Sequence, residues 1–277
     1  MVERMVRANG VDLCLETFGD PQDDTVLLVH GAQASMLWWE EDLCAAIADG
    51  GRHVVRYDNR DTGRSVTYPP GRPPYAMSDL ARDAVAILDV LGVDRAHVVG
   101  RSMGGGVALF VGLDHRTRVA SLTLVTTTSG EDDMSEREVD VDSGPLPSPD
   151  DLTGLAEHTV VERRALAGGS PYFDEEAVRQ RATRDINRAR DFVATLTNHW
   201  VMELDEPEHG SWADLDVPTL VVQGELDPVF PTAHGRSLAA KIPGAELMIL
   251  PGVGHDVPRP VWPPFVERLL AHTGAAG

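Results

Sequence analysis

Val98-Val99-Gly100-Arg101-Ser102-Met103-Gly104-Gly105-Gly106 ends an apolar run and passes at once into the helix-compatible Val107-Ala108-Leu109-Phe110. A G-x-S-x-G pentapeptide between a strand and a helix is the context of a nucleophile elbow, where a serine sits in a sharp, strained turn at the top of a sheet. Small residues are needed at Gly100 and Gly104, because neighbouring backbone comes close in such a turn. A glycine-rich βα turn without chemistry would satisfy the same five residues, so the decision falls to partners elsewhere in the chain.

On the N-terminal side, residues 3–8 and 11–18 read as two strands joined by Asn9-Gly10, which supplies the positive φ of a type I′ hairpin. Val26 to Val29 is a continuous apolar run, as expected of a strand buried on both faces of a parallel sheet, and it leads into His30-Gly31-Ala32. A helix over 40–48 and a strand over 53–57 follow. Next come the polar, turn-rich run Arg56 to Ser65 and a proline-rich loop over 69–74. Leu80, Ala81, Ala84, Val85, Leu88 and Leu91 recur at three- and four-residue steps, predicting an amphipathic helix from Met77 with Ser78 as cap and Gly92 as stop. Strand 96–99 delivers the elbow, and strand 121–126 follows it.

Composition changes near Gly130. The stretch from Glu131 to Asp151 is dense in Asp and Glu, has Arg137 as its single base and contains Pro145, Pro147 and Pro149, so it reads as an acidic excursion and not as a core strand. Three helix-like stretches, 150–167, 174–188 and 191–203, are expected to form a lid. Strand 219–222, a helix over 233–241, strand 246–250 and a helix over 265–272 complete a β/α alternation that implies a mostly parallel sheet with helices on both faces. The expected organisation is a core of 1–130 and 211–277 with a helical cap over 131–210.

The chain has 277 residues, enough for one large core or two domains. Its 24 Lys+Arg against 44 Asp+Glu give a formal net charge of -20, which argues against nucleic acid and anionic membranes and favours neutral or cationic small molecules. No stretch reaches transmembrane length. Cys14 and Cys44 read as small buried hydrophobes, and their scarcity, with no signal-like pattern after Met1, points to the cytoplasm. No zinc, phosphate-loop or dinucleotide spacing is found, so no cofactor is expected. Oligomeric state has no sequence signature here.

Hydrolysis through an activated serine needs a base, a group that fixes the base's tautomer, and donors aimed at the developing oxyanion. Candidates occur in chain order. Ser102 would attack, His255 in the loop after the last strand would take the proton, and Asp227 after the preceding strand would orient the imidazole. The backbone N–H groups of Ala32 and Met103 are the oxyanion donors expected from their positions after His30-Gly31 and after Ser102. Ten histidines make a downstream histidine uninformative by itself; Gly252 and Gly254 single out His255, whereas His30, His199, His209, His234 and His272 read as bracing, surface or packing residues. Glu225 and Asp256 compete with Asp227, but Asp256 adjoins the base and Glu225 faces the other side of its turn. Trp38, Trp39, Trp200 and Met202 are the expected apolar wall of a substrate pocket.

Together His30-Gly31, Arg56-Tyr57-Asp58-Asn59-Arg60-Asp61-Thr62-Gly63-Arg64-Ser65, Gly100-x-Ser102-Met103-Gly104, Gly224-x-x-Asp227-Pro228 and Gly254-His255 resemble the α/β-hydrolase superfamily over nearly the whole chain. The runs 56–65 and 94–104 look most like the aclacinomycin methylesterase group. The resemblance implies the α/β-hydrolase fold with an eight-stranded sheet, a serine esterase acting through an acyl-enzyme, and a methyl ester or similar small ester of a bulky metabolite as substrate. Lactone opening, carbon–carbon bond hydrolysis and perhydrolysis use the same constellation, and a non-catalytic ligand-binding protein on this fold is the reading from another class. Arg101 and Gly31-Ala32-Gln33 depart from the group's pattern; Arg101 is expected to point into the packing behind the elbow and pair with an acid, or else to tune the pocket.

Overall fold

Asn9 and Gly10 take φ of 46° and 73° and close a hairpin between β1 (Arg4–Ala8) and β2 (Val11–Phe18) in the expected register, with Ala8 opposite Val11. The computed structural model describes residues 2–130 and 144–275. Most of the acidic stretch singled out above, 131–143, lies outside them. After the hairpin come β3 (Thr25–Val29), α1 (Glu41–Ala48), β4 (His53–Tyr57), α2 (Met77–Leu91), β5 (Ala96–Arg101), α3 (Met103–Asp114) and β6 (Val119–Val125). Among the described residues three helices then follow with no strand between them, α4 (Leu152–Leu166), α5 (Glu175–Arg188) and α6 (Phe192–Val201). The chain returns to β7 (Thr219–Gly224), α7 (Thr232–Lys241), β8 (Glu246–Leu250) and α8 (Trp262–Ala275).

The sheet runs β1-β2-β4-β3-β5-β6-β7-β8, antiparallel at β1/β2 and β2/β4 and parallel from β4 onward. Successive side chains of a strand point to opposite faces, and a sheet covered on both faces therefore needs apolar residues at every position. Leu27, Val29, Val55, Val98, Leu122 and Leu124 pack with Leu80, Ala84, Leu88, Val107 and Val111 of α2 and α3. Val26, Leu28, Val54, Val99, Val125 and Val222 pack on the other face with Leu43, Ile47, Phe265 and Leu269 of α1 and α8. Helices α4 to α6 hold a smaller cluster of their own, with Leu155, Ile186, Phe192 and Leu196. Asp151, Asp174 and Asp191 cap these three helices, each carboxylate accepting the N–H three residues on.

Ser78 is not the cap of α2. The helix already opens at Met77, so Ser78 lies inside the first turn; the Asp79 carboxylate accepts the Ala76 N–H at 3.0 Å, and Ser78 N–H donates to Asp205. Gly92 ends the helix at φ 70°, as its sequence position implies. Strands β5 and β7 outrun their apolar segments, because Arg101 pairs with Val125 and Gly224 with Leu250 through backbone groups that any residue supplies. Likewise α8 begins at Trp262, since Pro263 and Pro264 fall in its first turn, where a missing N–H costs nothing. Cys14 and Cys44 are buried and free, with burial pushing both thiols up to about 12.

The loop after β4 is fastened by a buried ion pair. Arg60 grips Asp83 of α2 through Nε at 2.7 Å and Nη2 at 2.8 Å, and Asn9 of the hairpin turn donates to the same carboxylate at 2.8 Å. Removing one partner of such a pair strands the other charge, which typically costs about 3–5 kcal/mol. Asp83→Ala is therefore expected to lower unfolding free energy by about that much, read as a lower urea midpoint at unchanged slope. A midpoint equal to wild type would show that the pair contributes nothing.

Candidate active site

Ser102 occupies the junction between β5 and α3 at φ 53° and ψ -121°, a conformation that L residues rarely adopt and that costs roughly 1–3 kcal/mol. The turn is so tight that a Cβ on Gly104 would stand 2.5 Å from the Val29 carbonyl oxygen and one on Gly100 would run into Gly104 itself. Both glycines are thus required by close backbone approach. The Ser102 N–H donates to the Val125 carbonyl at 3.0 Å, and the Thr127 hydroxyl to the Ser102 carbonyl at 2.9 Å.

His255 and Asp227 come to this serine from the ends of β8 and β7. His255 Nε2 lies 3.0 Å from Ser102 Oγ, and His255 Nδ1 lies 2.9 Å from Asp227 Oδ2. Asp227 is fully engaged: Oδ1 accepts the N–H groups of Val229 and Phe230 at 2.9 and 3.1 Å, and Oδ2 accepts Gln223 Nε2 at 3.0 Å. Gln223, fully buried near the end of β7, escaped the sequence reading, which ended this strand at 222; its only signal there was a polar residue directly after an apolar run. The backbone of His255 is held twice, its N–H donating to the Leu166 carbonyl of α4 at 2.9 Å and its carbonyl accepting from Thr126 Oγ1 at 3.1 Å. Thr126 and Thr127, which carry no carboxylate, thus brace the serine and the histidine.

Ala32 and Met103 line the cavity in front of Ser102, and neither backbone N–H has a hydrogen-bond partner among the described residues. Met103 opens α3, so its N–H lies at the positive end of the helix dipole. The run 58–65 braces this edge. Asn59 Nδ2 donates to the His30 carbonyl at 3.2 Å, Asp58 accepts the Met36 N–H at 2.9 Å, and Asp61, at φ 64°, accepts from Tyr68 N–H and Tyr75 Oη at 2.6 Å each. His30 itself is buried edge-on against Trp39, and burial holds its imidazole well below the ordinary range, as befits a neutral bracing residue. His199, His234 and His272 likewise bond to Arg60 O, Thr128 Oγ1 and Leu122 O, while His209 pairs with Asp114 at the surface.

The cavity has a volume of about 850 Å³ and is lined by Ser102, His255, residues of α3, α4 and α6 that include Trp200, and Met202 just after α6. Trp38 and Trp39 do not line it, contrary to expectation. Trp38 Nε1 donates to the buried Asp185 carboxylate of α5 at 2.8 Å, with the Arg163 and Arg181 guanidiniums 3.9 and 5.1 Å from its ring centroid. Trp39 is fully buried in the α1 and α8 face of the sheet. They follow the Ala32 loop in sequence, but the short helical turn 36–38 carries them behind it.

Arg101 is almost fully buried and pairs with Asp256 at 2.7 Å. Burial lowers its guanidinium to about 10 against the pull of Asp256, and against partial desolvation the Arg101 and Arg163 charges hold the half-buried Asp256 carboxyl down to about 2. Glu225 turns away, accepting the Gly252 N–H at 2.8 Å. Among the described residues no group of three or more His, Cys, Asp or Glu could hold a metal ion, and no helix is long and apolar enough to cross a membrane.

A central parallel sheet presenting serine, carboxylate and histidine at its carboxyl edge in that chain order is the arrangement of the α/β hydrolases. The family described as the alpha/beta hydrolase fold matches residues 24–258, and the chain belongs to it. Over 296 aligned residues it is 32% identical to rhodomycin D methylesterase DauP of Streptomyces sp. (strain C5), covering 100% of this chain and 99% of that one. DnrP of Streptomyces peucetius, also a rhodomycin D methylesterase, is 31% identical with the same coverage. The chain is accordingly a carboxylic ester hydrolase related to the aclacinomycin methylesterase group. Its fold is also that of a meta-cleavage product hydrolase from Pseudomonas fluorescens, at a TM-score of 0.80 and 21% identity over 99% of this chain and 98% of the other.

Proposed function

We propose that this enzyme hydrolyses a methyl ester, or an ester of a similarly small alcohol, on a bulky and largely apolar carboxylic acid, through an acyl-enzyme on Ser102. The observation that carries the reading is the unbroken hydrogen-bond relay from Asp227 through His255 to Ser102, opening into a cavity large enough for a polycyclic acid. Ser102 Oγ bonds to the carbonyl carbon while its proton passes to His255 Nε2, and the oxyanion is received by the Ala32 and Met103 N–H groups. On collapse the C–O bond to the alcohol breaks, and His255 returns the proton to the leaving alkoxide. Water then attacks the acyl carbon with His255 again as base, releasing the acid and the free serine. Asp227 keeps the imidazole proton on Nδ1 and stabilises the imidazolium.

The methyl ester and the apolar acid are supported by the relatives' activity and by the apolar rim that Trp200, Met202 and Leu204 contribute. Helices α4 to α6 serve in this reading as the cap that shapes the acid's pocket, between core segments on either side of them. The net charge of -20 favours neutral or cationic substrates over anionic ones. A panel of esters varied separately in acid and alcohol tests the assignment, and kcat/KM is expected to rise with apolar acid size and fall with alcohol size. Trp200, 57% exposed and lining the cavity, would in this reading cover the outer part of a large acid. Trp200→Ala is expected to raise KM about tenfold for bulky aromatic methyl esters, the equivalent of about 1.4 kcal/mol of lost contact. KM for methyl acetate is expected to stay within twofold; equal changes for both esters, or for neither, would remove Trp200 from the acid site.

A further inference from the structure

The residue before Ser102 and the residue after His255 form an ion pair with each other. Arg101 reaches from the end of β5 to Asp256 at 2.7 Å, and Arg163 of α4 stands 3.8 Å from the same carboxylate oxygen. The two cations are held from behind: Arg101 lies 5.7 Å from the Trp39 ring centroid, and Arg163 lies over Trp38 and donates to the Gln33 carbonyl at 3.3 Å. The strained turn at Ser102 and the loop bearing His255 share no strand pairing, since β5 and β8 stand three places apart in the sheet. Their relative position therefore depends on cross-links of this kind.

We propose that Arg101 and Asp256 are positioning residues for the ester hydrolysis, their ion pair tying the β5 turn to the β8 loop so that Ser102 and His255 keep their hydrogen bond. The inference rests on the assignment of Ser102 and His255 made above. The pair also puts charge next to the base. The titratable and charged groups that share the cavity or loops with His255 include Asp227 from the loop after β7, Asp256 from its own loop, Arg101 from β5, Glu162 and Arg163 from α4, His199 from α6, Glu206, and His30 after β3.

A merely structural pair and a positioning pair respond differently. Asp256→Asn leaves Arg101 and Arg163 without their carboxylate, and the acid limb of the kcat/KM profile is expected at lower pH. Arg101→Gln removes a cation and moves the limb to higher pH. Shifts of about half a unit to one unit in these opposite directions are expected. Both variants are expected to slow labelling of the serine by a fluorophosphonate about tenfold to a hundredfold, as misplaced reacting atoms do, with KM changed less than kcat. Arg101→Lys, which keeps the charge but not the reach, is expected to restore the limb and leave labelling slow. Should Asp256→Asn not fold, Arg101→Gln against Arg101→Lys carries the same comparison. Limbs that coincide with wild type, or labelling within twofold of it in folded variants, would overturn the proposal. Wild-type protein that the probe does not label would instead overturn the assignment of Ser102.

Discussion

Ser102→Ala is expected to lower kcat by about 10⁶, with substrate binding retained and labelling by a fluorophosphonate abolished. The substitution removes the oxygen that lies 3.0 Å from His255 Nε2, the atom proposed to attack the ester. What survives is the cavity and the backbone donors in front of α3, which in other serine hydrolases leave a residual rate about 10³–10⁴ above the uncatalysed one. The alanine also relieves no backbone strain, because φ of 53° is as unfavourable for alanine as for serine. Stability should therefore stay near wild type, and the loss should be chemical. Single-turnover kinetics with a chromogenic ester, beside equilibrium binding of the product acid, separate the two. A variant that keeps more than a tenth of wild-type kcat would show that another group attacks.

Asp227→Asn is expected to cost about 10⁴ in kcat at neutral pH, and the geometry says why an isosteric change is so expensive. Oδ1 accepts two backbone N–H groups, so the substituted amide must keep its oxygen there and turn its NH₂ toward the position of Oδ2. That NH₂ then meets two donors, Gln223 Nε2 and the Nδ1–H of His255. The imidazole can escape the clash by moving its proton to Nε2, which points a hydrogen at Ser102 Oγ and removes the base. The expected signature is a large fall in kcat at little change in KM. A loss of less than about thirtyfold in folded protein would mean that Asp227 does not set the tautomer.

Much of this site could be read from the chain because its parts sit where local rules operate. Strand β3 is apolar at each interior position because both its faces are covered, and Asn9-Gly10 permits one kind of hairpin. The elbow is legible since Gly100 and Gly104 are demanded by backbone that lies within a few residues or on the adjacent strand. His255 and Asp227 follow the last two strands, and parallel strands bring all their carboxyl ends to one edge. Topology therefore carries residues far apart in sequence to one edge of the sheet, where local contacts bring them within hydrogen-bond distance of one another.

The failures share another cause. Trp38 and Trp39 follow the Ala32 loop as a pocket wall would, but whether they face the cavity depends on Asp185, Arg163 and Arg181 of helices more than a hundred residues away. Ser78 has the chemistry of a cap and stands two positions too late to use it. For the run 58–65, resemblance marked its importance without its task; the contacts of Asn59 with His30 and of Asp58 with Met36 identify it as the brace of the Ala32 loop.

From sequence alone the chain determines its strands, the strained serine turn and the order Ser102, Asp227, His255, because periodicity, turn chemistry and parallel topology are local or combinatorial properties. Tertiary structure alone decided that Gln223 holds Asp227, that Arg101 spends its charge on Asp256, and that Trp200 and Met202 but not Trp38 and Trp39 line the cavity. Each of these is a side-chain partnership between elements distant in the chain. No local pattern encodes such a partner, since a buried charge or amide is satisfied by whichever group the packing brings within reach.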